Sequence, residues 1–144
     1  MFMGSYSHNI DSKGRVIIPA KMREQLGEQF VITRGFEECL AVYSMDEWET
    51  VMKRLSELPS TQKSARRLKR MFLSYAVEVE PDKQGKVIIP SALREMAHLD
   101  KEVLVVGQEN HIEIWNEDSW NSYIGDDDEM SFEEAAEAIE GLCL

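Results

Sequence analysis

The nine residues Asp11-Ser-Lys-Gly-Arg15-Val-Ile-Ile-Pro19 return as Asp82-Lys-Gln-Gly-Lys86-Val-Ile-Ile-Pro90, 71 positions further along a chain of 144 residues. A repeat at this period means one supersecondary unit used twice. The correspondence continues beyond the motif: Arg23-Glu24 falls on Arg94-Glu95 at the same offset. With one residue added to the offset, Tyr43 falls on Trp115 and Trp48 on Trp120. Each half is too short to bury enough of its surface alone. The two halves are therefore expected to pack on one another as a pseudo-twofold pair around a shared core.

The elements follow from pattern. Ser5 to Ile10 reads as a strand, Asp11 to Gly14 as a turn, and the β-branched run Val16 to Ile18 as the return strand of a tight hairpin. Pro19 opens a short helix that Gly27 closes, and Phe30 to Thr33 pairs with Cys39 to Tyr43 around Gly35. Ser44 and Glu47 form a capping box ahead of Trp48, Val51, Met52, Leu55 and Leu58, a helix ended by Pro59. A second helix from near Ser60 or Thr61 carries Leu68, Met71, Phe72 and Tyr75 on one stripe, with Lys63, Arg66, Arg67 and Arg70 roughly opposite. That basic stripe reads first as a solvated face. The second half repeats the plan with strands at Ala76 to Val79, Val87 to Ile89, Glu102 to Val106 and His111 to Trp115, and Asn116 caps a helix bearing Trp120, Tyr123 and Ile124. A last capping box, Ser131 with Glu134, introduces Phe132, Ala135, Ala136, Ile139 and Leu142 at helical spacing. The expected division is residues 1–59 as first repeat, 60–75 as linker helix, 76–124 as second repeat and 125–144 as an acidic tail that packs on a neighbour or on its own core.

A net charge of −11 opposes nucleic-acid binding until its distribution is considered. Residues 125–144 hold Asp126, Asp127, Asp128, Glu129, Glu133, Glu134, Glu137 and Glu140 and no Lys or Arg, which leaves the body near −3. The first fifteen residues lack the apolar run of a signal peptide, and no stretch approaches the length of a membrane span, so a cytoplasmic protein is expected. Cys39 and Cys143 have neither metal-ligand nor disulfide spacing and read as inert thiols, and His8, His98 and His111 are scattered; no metal or cofactor is expected. Known catalytic fingerprints are missing, and no enzymatic activity is expected. Asp11 and Asp82 could meet across the pseudo-twofold as an acid–base pair. Lys13, Arg15, Lys83 and Lys86 beside them would, however, hold both ionised.

The two turns carry the strongest functional signal. Each presents two basic side chains on a glycine turn, Lys13 and Arg15 on Gly14, Lys83 and Lys86 on Gly85, with Asp11 and Asp82 placed to order the loops through bonds from loop N–H groups. Lys, Asp and Gly are also common at solvated loop tips, but recurrence at both ends of a duplication weighs toward binding. An Asp-x-x-x-Arg turn, a β-branched strand and a Pro-started helix, used twice in a chain of this length, resemble the MraZ family within the AbrB and MazE-like superfamily. The resemblance covers about Met1 to Ile124 and not the tail. It implies an α+β fold: an internally duplicated swapped-hairpin β-barrel with short peripheral helices, followed here by the acidic C-terminal helix. It also implies a nucleoid-associated DNA-binding transcriptional regulator, a repressor of its own operon in the division and cell-wall gene cluster. Such a protein binds repeated boxes of double-stranded DNA as a ring-like homo-oligomer, without a membrane partner. Carried onto this chain, Asp11 and Arg15 match the first motif and Asp82 the second, whose arginine is replaced by Lys86. An arginine fork can grip guanine with two hydrogen bonds and lysine cannot. Arg15 is thus expected to read bases, and Lys13, Lys83 and Lys86 to hold phosphate. The alternative is an oligomeric interaction module that works through its acidic tail.

Overall fold

The computed structural model describes residues 1–125 and 129–144, so Asp126, Asp127 and Asp128 of the acidic run lie outside the described residues. The first repeat supplies β1 (Ser5–Asn9), β2 (Arg15–Ile17), α1 (Ala20–Leu26), β3 (Phe30–Arg34), a 3-10 turn (Phe36–Glu38), β4 (Leu40–Ser44) and α2 (Met45–Ser56). Helix α3 (Lys63–Tyr75) leads to β5 (Val77–Val79), β6 (Lys86–Ile88), α4 (Ser91–Met96), β7 (Glu102–Gly107), β8 (Ile112–Asn116) and α5 (Glu117–Gly125), and α6 (Phe132–Glu137) lies in the tail. The result is a mixed α+β fold around a large antiparallel sheet.

The helix starts behave as their caps require. Ser44 Oγ accepts from Glu47 N at 3.2 Å, Asn116 Oδ1 from Ser119 N at 2.8 Å, and Ser131 Oγ from Glu134 N at 3.1 Å. Pro19 and Pro90 stand one position earlier than expected, at the caps of α1 and α4, with extended ψ of 140° and 148°. The α3 helix begins at Lys63 rather than near Ser60, and α2 stops at Ser56, three residues short of Pro59.

Strand order in the main sheet is β1-β7-β8-β4-β3-β5, all antiparallel, and β2 pairs with β6 in a separate two-stranded ribbon. Exchanging each strand for its counterpart in the other repeat maps this order onto its own reverse. Every pairing across the repeats, β1 with β7, β5 with β3, β4 with β8 and β2 with β6, accordingly has a partner under the exchange. The tight hairpin expected of β1 and β2 does not form. Asp11 to Arg15 closes one turn, but the strand before it, β1, runs beside β7 and the strand after it, β2, crosses to β6. The reason is burial: Val16 faces Val87 in the ribbon, and Ile18 and Ile89 join them, all four enclosed in one cluster drawn from both repeats.

One apolar cluster therefore draws on both halves. Phe30, Ile32, Leu40 and Val42 meet Val103, Val105, Ile112 and Ile114 on one face of the main sheet, with Met22 and Leu26 of α1 and Leu93 of α4 closing over it. Helices cover the opposite face. On the first repeat α3 bonds to β3 through Thr33 Oγ1, which donates to the Phe72 carbonyl at 2.7 Å and so satisfies a fully buried hydroxyl. Trp48 packs 5.8 Å from Tyr43 and 5.6 Å from Phe72, and at the matching place Trp120 packs 5.3 Å from Trp115, with Tyr123 stacked on Trp115 at 5.2 Å. Tail helix α6 does not fold back on this core: Phe132 is 76% exposed and Ile139 56%.

Candidate functional site

The turn Asp11 to Arg15 is built by its first residue. Asp11 Oδ1 accepts from the backbone N of Lys13 at 3.0 Å and of Arg15 at 2.9 Å, while Gly14 N donates to Asp11 O at 3.0 Å. Asp82 repeats this, accepting from Gln84 N at 2.9 Å and Lys86 N at 3.0 Å, with Gly85 N donating to Asp82 O at 2.9 Å. Gly14 and Gly85 adopt φ of 77° and 80°, where a side chain is strained. Each glycine also lies under an arginine of the other repeat: a Cβ on Gly14 would fall 2.9 Å from Cζ of Arg94, and one on Gly85 would overlap the guanidinium of Arg23. The turns are tied together at the backbone as well, since Ile18 N donates to Gly85 O at 3.0 Å and Ile89 N to Gly14 O at 2.9 Å.

The two motifs thus come together as one candidate site. The β2–β6 register places Arg15 opposite Ile88 and Ile17 opposite Lys86, with Val16 and Val87 turned to the core between them. By the alternation of a strand, Arg15, Ile17, Lys86 and Ile88 share the outer face of the ribbon. Arg15 Nε donates to Asp11 Oδ2 at 2.8 Å, its Nη1 lies 3.5 Å from Asp82 Oδ2, and Lys86 Nζ lies 3.7 Å from Asp11 Oδ2. Asp11 and Asp82 do meet, then, but around a guanidinium. The backbone N–H of Arg15, helped by its side chain, holds the Asp11 carboxyl down at about 2 despite some desolvation, and the Lys86 N–H lowers Asp82 likewise. Two ionised carboxylates serve as anchors for cations and offer no acid–base pair.

Lys13 and Lys83 are exposed at the turn tips and enter no ion pair among the described residues. The structure adds Arg23 and Arg94, which sequence reasoning does not assign to the site. Their signal is present in the recurring Arg-Glu at an offset of 71, but nothing in one sequence shows that each arginine crosses to the other repeat's turn. The remaining candidates resolve simply. Cys39 is buried, donates to the Phe36 carbonyl at 3.2 Å, and burial followed by the Glu113 charge pushes its thiol far up. The described residues include no cluster of three metal-ligating side chains and no helix long and apolar enough to cross a membrane.

The family model described as "MraZ protein, putative antitoxin-like" matches the chain twice, over residues 1–71 and 72–142. Its second copy takes in most of the tail, which the resemblance carried by the motifs leaves out. Curated relatives agree along nearly the whole length. A protein of Caldanaerobacter subterraneus subsp. tengcongensis is 53% identical over 142 residues, and one of Halothermothrix orenii is 54% identical over 142. A third, from a Thermoanaerobacter species, is 51% identical over 142 residues. Each alignment covers 99% of both chains, and each relative is named a transcriptional regulator MraZ. A solution structure of PHS018 from Pyrococcus horikoshii aligns over 79% of this chain and 88% of that one at 17% identity and a TM-score of 0.33, too distant to bear on the fold. With two copies of the family model spanning its length and relatives above half identity end to end, this chain belongs to the MraZ family.

Proposed function

We propose that this protein is a sequence-specific DNA-binding transcriptional regulator, a repressor of its own operon in the division and cell-wall gene cluster. The observation that carries the reading is the joining of both basic turns across the β2–β6 ribbon. Lys13, Arg15, Lys83 and Lys86, with Arg23 and Arg94 over the glycines, line one edge of a molecule whose net charge is −11. A two-stranded ribbon is of a size that the major groove admits.

Within this reading Arg15 reads bases. Asp11 fixes its guanidinium through Nε, so the Nη edge is offered in a set orientation, and the long contact to Asp82 is the one that a base edge displaces. Lys13, Lys83 and Lys86 hold phosphate. Main sheet and ribbon wrap one core as a swapped-hairpin barrel. A ring of subunits presents several such edges to repeated boxes, which converts weak single contacts into useful affinity. Nucleoid association follows from that binding.

The test is retardation of the DNA upstream of the protein's own gene, measured from 50 to 200 mM salt. Binding should fall steeply, and Lys13→Ala with Lys83→Ala should flatten the slope by about one unit for each phosphate no longer neutralised. Binding to that DNA without salt dependence, or no binding at low salt, would overturn the proposal.

A further inference from the structure

Among the described residues, two of the uncovered apolar surfaces complement one another. One is a groove of about 410 Å³ between α3, β4, β8 and the 3-10 turn, floored by Ala41, Tyr43, Leu68, Met71 and Phe72, with Phe36 at its mouth 79% exposed. The other is α6 and the turn after it, where Phe132, Ala135, Ala136 and Ile139 form one stripe. Among the described residues no tail residue lines the groove, and the tail's large apolar side chains are in solvent. Neither surface is therefore met by the described residues of its own chain.

Their charges complement one another. On α3 the groove stripe is flanked by Arg67 and Lys69, with Arg66 and Arg70 behind, whereas α6 and its continuation flank their stripe with Glu133, Glu137 and Glu140. The opposite rim carries Glu37, Glu38 and Glu113 against Arg34, with His111 beside Glu113, so its excess of carboxylates disfavours an acidic edge on that side. An occupant with an apolar stripe and one acidic edge can thus enter in one orientation, its carboxylates along α3. We propose that the tail segment around α6 of one copy docks in the groove of a second copy. Each chain has one groove and one tail, so the contact is heterologous, and it makes a closed ring where the rotation closes. The proposal deepens the assembly part of the function above and is independent of DNA binding.

Sedimentation of the full chain without DNA tests it and separates its failure from failure of the DNA reading. Phe132→Asp with Ile139→Asp breaks the tail, and Leu68→Asp breaks the groove. Circular dichroism reports folding, and Phe36→Asp repeats the groove arm at an exposed position should Leu68→Asp unfold. Each variant alone should lose the wild-type assembly and run as a monomer. Mixed in equal amounts they should form a one-to-one pair and go no further, because one intact tail and one intact groove remain between them. A monomeric wild type, variants that keep the wild-type assembly, or monomeric variants that fail to pair when mixed would each overturn the proposal.

Discussion

At the scale of single residues, the site depends on backbone that only glycine tolerates and on carboxylates that stay charged. Gly14→Ala places a Cβ at φ 77° and against Arg94, so it should cost roughly 1–2 kcal/mol in strain, more if the arginine is forced away. Urea unfolding measures that loss, and an unchanged midpoint would contradict it. Asp11 titrates below an ordinary aspartate. A carboxyl lowered on folding contributes stability that is complete above its unfolded value near 4 and is lost as pH falls toward about 2. A carbon-detected NMR titration should show Asp11 ionising near 2; ionisation near 3.8 would mean that the turn does not hold it. The aspartates are legible as turn-ordering residues from their position ahead of Gly14 and Gly85. Their meeting on one arginine is open in the sequence only as an acid–base alternative, and the turn N–H groups, helped by the neighbouring cations, decide against it by keeping both carboxyls low.

At the scale of elements, local signals succeed where the cause is local. Side-chain caps at Ser44, Asn116 and Ser131 are readable because the bond spans only three residues, and Ser44→Ala should cost about 1 kcal/mol in thermal or urea unfolding. An unaltered stability would mean that water replaces the cap. Pairing is a non-local property, and the local pattern points to the wrong partner. Ser5 to Ile18 shows two strands and a glycine turn, which a hairpin satisfies as well as an exchange does. Enclosing Val16 and Ile18 in one cluster with Val87 and Ile89 favours sending β2 across the molecule. The linker helix is legible in its stripe, yet its anchoring bond from Thr33 to the Phe72 carbonyl joins residues 39 apart and leaves no sequence trace.

At the scale of the whole molecule, the repeat announces the shared core and the exchange-symmetric strand order, and what it cannot announce is which arginine lies over which turn. Because one cluster includes residues of both halves, the chain should unfold in a single cooperative transition, with Ile18→Ala lowering stability by about 2–5 kcal/mol. Two separated transitions in calorimetry would mean independent halves. The claim at the centre is that the joined turns read DNA, Arg15 by base edges and Lys86 by phosphate. The most direct measurement is fluorescence anisotropy of the folded Arg15→Ala and Lys86→Ala proteins on the upstream DNA and on a scrambled duplex of equal length. Arg15→Ala should erase most of the preference for the upstream sequence, a loss of roughly 1–3 kcal/mol of discrimination for each bidentate contact, while Lys86→Ala should weaken both duplexes alike. If Arg15→Ala retained full affinity and preference for the upstream DNA, the turns would not be the reading element.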